Sequence, residues 1–363
     1  MNKILLTGAL MLCAGATMMA ADPNDPSYKL VWQENFNGES LNTEAWNIEV
    51  NGDGGGNQEL QYYSKRGVKV ADGNLVLTAK REDYSGRQFT SGRVNTRDKM
   101  FFTHGKIEFR AWMPETANGI WPAVWALGQA YAETGWPRCS EIDFVEMGNA
   151  YGISHNIQDR YFNGACHWGF YKNGNYPSYA NAVTAPYSMQ DGYHNWTVVW
   201  DNKEIAMYYD LDKDPNRAPY YKMTISDTNG DWATGNYFHQ PVFLVMNVAV
   251  GGRFTGILNA SGITALPNTD DTRSMKVDYI KIYQNGGEGD TFFSTNGAGD
   301  TGSADAIEAG SKGFEMDGNS VLFFEEGGKV YTLSGQEISG ISLPAGLYIV
   351  KARGCKAEKV IVK

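Results

Sequence analysis

Residues 141 to 148 read EIDFVEMG, which places Glu141, Asp143 and Glu146 within six positions among apolar neighbours suited to a β-strand. An extended chain alternates its faces, so Glu141 and Asp143 share one and Glu146, at an odd offset, points to the other. A β-bulge between Asp143 and Glu146 would absorb one residue and return Glu146 to the shared face. The two glutamates would then lie as if four positions apart, about 13 Å between α-carbons at strand rise. Their side chains are long enough to lean together across Asp143. Two carboxyl groups about 5 to 5.5 Å apart are what retaining hydrolysis of a glycosidic bond uses, one as nucleophile and one as an acid that later becomes a base. Three such neighbours cannot all ionise cheaply, so one holds a proton near neutrality and the titration belongs to the cluster. A protonated Asp143 would orient the nucleophile. Spacing alone also fits a solvated acidic strand face or a metal site.

The surrounding residues supply indoles. NGIWPAVWALG sets Trp121 and Trp125 four apart, on one face if extended, and GWPRCSEID adds Trp136 just before the acids. Sugar rings stack their C–H faces on indoles, so carbohydrate clefts combine tryptophans with a few polar groups. Each tryptophan taken singly is equally at home in a core.

The elements that must hold these residues read as strands. NLVLTAKRE (74–82), GKIEFRAWM (105–113), NWTVVWD (195–201), EIAMYYDL (204–211) and KVDYIKIYQ (276–284) recur between turn signals, and long helical periodicity is absent. In 105–113, Ile107, Phe109, Ala111 and Met113 fall on one face and Lys106, Glu108 and Arg110 on the other. PVFLVMNVAV (241–250) is nearly all apolar, so both its faces are expected to be covered. With 42 glycines and 13% aromatics, an all-β protein built as a β-sandwich is the architecture these segments predict.

The chain of 363 residues exceeds one ordinary core and divides by composition. Residues 1–21 combine a basic start with an apolar run ending in small residues, a signal peptide cleaved near Ala20 or Ala21. Glycines interrupt that run, which argues against stable membrane insertion. Cys13 follows the bulky Leu12, an unfavourable context for lipid attachment. Cleavage leaves Cys139, Cys166 and Cys355, an odd number that is not a disulfide framework. Residues 22–285 are read as the main domain, 286–312 as a flexible linker rich in Gly, Thr, Asp and Ser, and 313–363 as a small all-β module. A formal charge of −10 argues against nucleic-acid partners and, less strongly, against polyanionic substrates, and leaves neutral ligands open.

From about Lys29 to Gln284 the chain resembles glycoside hydrolase family 16, and within it the laminarinase-like enzymes that cleave β-1,3-glucan. The resemblance rests on NQELQYY (57–63), DGNLVL (72–77), SGRVNT (91–96), GIWPAVWALG (119–128), GWPRCSEIDFVE (135–146) and MNVAVGG (246–252), in family order. It implies a jelly-roll β-sandwich, concanavalin-like, with a cleft on its concave face. It also implies Glu141 as nucleophile, Asp143 as assisting carboxylate and Glu146 as acid/base. Arg93 and Asn57 match substrate-contacting positions, Trp121, Trp125 and Trp136 match cleft aromatics, and His167 in ACHWG resembles the family histidine on a neighbouring strand. Phe144-Val145 matches the subgroup whose acidic strand is bulged, which favours laminarin-like glucans; that subgroup also holds mixed-linkage β-1,3-1,4-glucanases and enzymes for agar- or carrageenan-type galactans. The resemblance implies no cofactor for catalysis and a structural calcium ion at Glu34, Gly73 and Asp278; oxygen donors suit calcium.

Arg138 and Ser140 depart from the family, whose members often carry small residues there. An Arg138 turned into the cleft would depress a carboxylate's proton affinity. Cys139 shares a face with Glu141 by alternation and would sit beside the cleft, or be a small buried residue. The C-terminal segment from Lys329 resembles the sorting domains read by the type IX secretion machinery, and Gly-turn-rich modules of this kind also bind carbohydrate. Together these readings describe a secreted, retaining endo-β-glucanase acting on a neutral β-glucan. The competing class is a lectin-like module, since the same sandwich binds sugars without chemistry.

Overall fold

Alternation along Gly105–Trp112 decides the first layer: Ile107, Phe109 and Ala111 are fully buried while Lys106, Glu108 and Arg110 keep partial access to water. Burying each such large apolar side chain contributes roughly 1.5–3 kcal/mol. In the computed structural model this strand sits centrally in a ten-stranded sheet, between His194–Trp200 and Thr272–Gln284. The structure describes residues 22–299, 314–317, 320–323, 328–332, 337–338, 342–351 and 357–362. The expected signal peptide and Cys355 lie outside them.

A nine-stranded sheet packs over the first. Its order runs Ser178–Thr184, Tyr161–His167, Glu141–Met147, Ile120–Gly128, Val242–Val250, Arg93–Asn95, Asn47–Ile48, with Met100–Thr103 also on Val242–Val250. Neighbouring strands along this order are antiparallel. One core lies between the sheets and takes Ile120, Val124, Ala126, Ile142, Phe144, Met147, Phe162, Leu244, Met246 and Val248 from this layer. The architecture is the all-β sandwich expected from the strand pattern, in the jelly-roll form that the resemblance implied. Among the described residues no helix is long and apolar enough to cross a membrane.

Val242–Val250 is buried along its whole length, as its sequence requires, but a second sheet covers only one face. On the other, Phe243 and Val245 join Leu127, Cys139, Phe101, Trp125 and Trp136 in a separate apolar cluster on the outer surface of the nine-stranded sheet. Asn247, the polar residue in this run, faces the same way.

The stretch read as a flexible linker from residue 286 corrects at its start. Thr291–Ser294 is a strand on Met100–Thr103, Phe293 stacks on Phe101 at 4.7 Å, and Gln33 bridges to Gly299. Apolar Phe292 and Phe293 inside a polar segment are what ties it down; residues 300–312 lie outside the described ones. The chain divides into two units, Met1–Asp300 and Thr301–Lys363. In the second, Lys329–Thr332, Glu337–Ile338, Gly346–Lys351 and Ala357–Val362 form a four-stranded sheet over a small core of Val321, Val330, Leu343, Tyr348, Val350 and Val362.

Candidate active site

The acidic strand carries the bulge. Against Tyr161–His167, Asp143 pairs with Ala165 and Glu146 with Asn163, three steps facing two; against Ile120–Gly128, Asp143 pairs with Trp125 and Val145 with Val124. Phe144 and Val145 both enter the core, so Glu141, Asp143 and Glu146 emerge on the outer face. Two neighbours make room. The Phe144 carbonyl, released from the ladder, accepts the buried hydroxyl of Tyr220. Gly164 faces the bulge where a β-carbon would stand 2.5 Å from the Met207 sulfur.

Around the acids the outer face collects polar groups in strand order. Trp121 donates its indole N–H to Glu146 Oε1 at 3.0 Å, and Asn163 donates Nδ2–H to Glu146 Oε2 at 2.8 Å. His167 Nε2 stands 3.5 Å from Asp143 Oδ2 and 4.0 Å from Glu141 Oε1. Trp125 donates to Asn247 Oδ1 at 2.8 Å and lies under the Arg93 guanidinium, 5.0 Å from its ring centre. Glu49 holds Arg93 at 3.2 Å and accepts from Asn95 at 2.8 Å. The loop bearing Asn57 is fastened just past the end of Val242–Val250 by Arg253 N–H to the Asn57 carbonyl, 2.8 Å, beside Gly252 and Trp121.

Burial governs the charges. Asp143 is 5% exposed and Glu146 8%. Burial pushes Glu141 up to about 8, the Glu146 charge adds to this, and Arg93 opposes it. The Trp136 indole N–H is near enough to favour the Glu141 anion but falls short of a full hydrogen bond. Glu146 is raised to about 7 by burial, against the donors Asn163 and Trp121. Asp143 is held well above the usual carboxylate value, by burial first and then by the two glutamate charges. Burial lowers His167 to about 4, so it is a neutral acceptor. Glu141, Asp143 and His167 offer donor atoms within 4.8 Å of one another, a set that could also take a metal ion. What the arrangement can do chemically is hold one ionised and one protonated carboxyl on a dry, indole-walled surface.

All nine sequence-predicted acid and cleft positions therefore gather at one face of one sheet, Asn57 and Trp136 from the loops beside it. Sequence reading missed Asn163, Asn247, Glu49 and Tyr176. Asn247 had a legible signal as the polar interruption of an apolar strand; Asn163 and Glu49 are set by contacts across strands, and Tyr176 by the connection after Tyr161–His167, which brings it 4.7 Å from Trp136. The direction of Arg138 was open in the sequence. The residue is exposed and lies over the Phe170 ring at 5.2 Å, in the turn that precedes the acidic strand, and Arg93 is the arginine that acts on Glu141. Cys139 does sit beside the acids, buried, its thiol pushed up to about 12 by burial.

The three expected calcium positions gather elsewhere, beside the middle of Thr272–Gln284 in the ten-stranded sheet. Glu34 pairs with Ile280, and Asp278 lies at the irregularity between Val277 and Tyr279. Gly73 precedes Asn74, at the start of the strand on which Leu75 pairs with Val277. The Glu34 carboxylate accepts from Phe36 N–H at 3.1 Å and Trp46 Nε1–H at 3.3 Å, and Asp278 pairs with Arg110 through Oδ2. A cation would fit here only on backbone carbonyls and the remaining Asp278 oxygen.

A two-sheet sandwich with a bulged three-carboxyl strand among indoles defines a glycoside hydrolase. Comparison with known proteins agrees: Glycosyl hydrolases family 16 matches residues 56–281, and the chain belongs to this family. It is 33% identical over 296 residues to a β-glucanase of Rhodothermus marinus, covering 78% of this chain and 96% of that one. It is 33% identical over 293 residues to glucan endo-1,3-β-glucosidase A1 of Niallia circulans, covering 72% of this chain and 39% of that longer protein. Among solved structures, a Bacteroides ovatus mixed-linkage-glucan family 16 protein in complex with its product aligns at TM-score 0.61 and 32% identity, over 69% of this chain and 99% of that one. The laminarinase catalytic domain of Thermotoga petrophila aligns at TM-score 0.58 and 30% identity, over 71% and 98%.

Proposed function

We propose that this chain is a secreted, retaining endo-β-glucanase that acts mainly on β-1,3-glucan. The observation that carries the reading is the bulge, which sets Glu141, Asp143 and Glu146 on one indole-lined face. The two glutamates titrate as one pair, and the microstate that reacts has the shared proton on Glu146 and the charge on Glu141, the side that Arg93 favours: Glu146 gives its proton to the leaving glycosidic oxygen while the Glu141 carboxylate attacks the anomeric carbon and forms a glycosyl ester. Water, deprotonated by Glu146, then attacks that carbon and frees Glu141, so the sugar leaves with its original configuration. Asp143, protonated and 3.5 Å from neutral His167, steadies Glu141 without competing for its charge. Arg93 favours the Glu141 anion at a distance.

Relatives named for β-1,3-glucan support the linkage, and the Bacteroides ovatus mixed-linkage protein supports a second reading, cleavage of β-1,3-1,4-glucan. Reducing-sugar release and product profiles on laminarin, mixed-linkage glucan, agarose and carrageenan, with Glu141→Ala as blank, separate these. Laminarin is expected to be cleaved fastest; binding without release by the wild type would leave a lectin-like module. Export is supported by the leader at residues 1–21 and the type IX-like tail. A calcium ion on the Glu34 and Gly73 carbonyls and Asp278 would be structural, adding to thermal stability in wild type but not in Asp278→Asn.

A further inference from the structure

The outer face continues past the acids on the side away from Arg93, and the groups standing there are not needed by the core. Residues 168–177 connect Tyr161–His167 to the edge strand Ser178–Thr184. The base of this connection is fixed. Trp168 is buried, donates its indole N–H to the Trp232 carbonyl at 2.8 Å and packs edge-on against Phe238. Gly169, at φ +77°, passes so near Pro177 that a β-carbon would stand 2.7 Å from its ring. The tip is a two-residue turn: Lys172 and Asn175 exchange backbone hydrogen bonds of 2.8 and 3.1 Å around Asn173 and Gly174, at φ 55° and 78°. A short, tied hairpin thus presents Tyr171 and Tyr176 on either side of its turn.

The two rings lead outward from the acids. Tyr176 lies 5.8 Å from His167 and 4.7 Å edge-on from Trp136, and Glu141 and Asp143 act on its hydroxyl. Tyr171 lies 5.2 Å from Tyr176 and 6.0 Å from Trp136, with 55% of its surface in water. Strand order requires that a glycan crossing the sheet from Trp125 over Asp143 meets His167 next and then this hairpin. The charges beside the hairpin are of both signs: Lys172 at the tip is 3.9 Å from Asp231, and Arg138 lies over the Phe170 ring at 5.2 Å. Exposed aromatic rings on a rigid support, continuous with a sugar site and without a dominant charge, suit neutral pyranose rings.

We propose that Tyr171 and Tyr176, together with Trp136, form a stacking platform for sugar residues of the same glucan chain beyond those held over the acids. This rests on the β-glucanase reading. The platform gives the enzyme a preference for chains long enough to reach the hairpin. Its test is kcat/KM on β-1,3-gluco-oligosaccharides of increasing length for wild type, Tyr171→Ala and Tyr171→Phe, with affinity electrophoresis in gels containing the polymer. An aromatic contact worth about 0.5–1.5 kcal/mol corresponds to about 2- to 12-fold. The step in kcat/KM gained when the substrate reaches the hairpin is expected to shrink by that factor in Tyr171→Ala and to persist in Tyr171→Phe. Tyr171 is exposed, so an unchanged Tm is expected to accompany the loss. Full length dependence and full gel retardation in Tyr171→Ala would overturn the platform. If wild type cleaves a different β-linked polymer, the β-1,3 reading falls alone, and retardation of wild type against Tyr171→Ala in that polymer decides the platform. Wild type that neither cleaves nor is retarded by any of them overturns both.

Discussion

At the residue scale, Glu141 shows how a carboxyl can serve function at a cost to stability. Unfolded, it ionises near 4.5; folded, burial and Glu146 keep its proton to about 8. Between those values the folded chain binds more protons than the unfolded one, so stability falls as pH rises through that window. Glu141→Gln carries no such proton. Its Tm relative to wild type is expected to climb from pH 5 to pH 8, reaching on the order of 2 kcal/mol of added stability at the upper end. Calorimetry at the two pH values checks this, and an equal difference at both would contradict it. The residue types of this site were legible in the sequence because acids and indoles are conspicuous there. Their partners were less so: Asn163 acts on Glu146 only because it sits opposite it across two strands, and sequence distance does not carry register.

At the element scale the decisive feature is the extra residue in Glu141–Met147. The odd offset of Glu146 pointed to a bulge, and the paired strands contain one. What holds it was not legible, since Tyr220 comes from a distant loop and satisfies the Phe144 carbonyl in the core. Tyr220→Phe leaves that carbonyl without its donor. A loss of about 1–3 kcal/mol in urea unfolding is expected, with kcat reduced more than KM changes as Glu146 loses its aim. A variant of unchanged stability would show that the bulge stands without Tyr220. Composition likewise concealed the strand Thr291–Ser294, because its flanks read as linker while two phenylalanines inside it find Met100–Thr103.

At the scale of the whole molecule, the sandwich was readable from alternation and the outer apolar cluster was not, because one strand's nearly all-apolar run fits either a second sheet or a cleft floor. The additional strand has a consequence for where the catalytic unit ends. A chain cut after Asn285 loses Phe293 on Phe101 and the Gln33 to Gly299 bridge. It is expected to be about 2–4 kcal/mol less stable than one cut after Asp300. The longer piece contains every acid and cleft residue and is expected to keep glucan hydrolysis within about two-fold of the full chain. Denaturant midpoints and initial rates on the two truncations measure both. The central claim, that a bulged strand makes Glu141 the nucleophile and Glu146 the acid/base of a retaining hydrolase, is tested most directly by azide rescue of Glu141→Ala. The expected result is an inactive variant that, given azide and an activated β-glucoside, forms the α-configured glycosyl azide; full hydrolytic activity without azide, or rescue giving only the β-configured product, would contradict it.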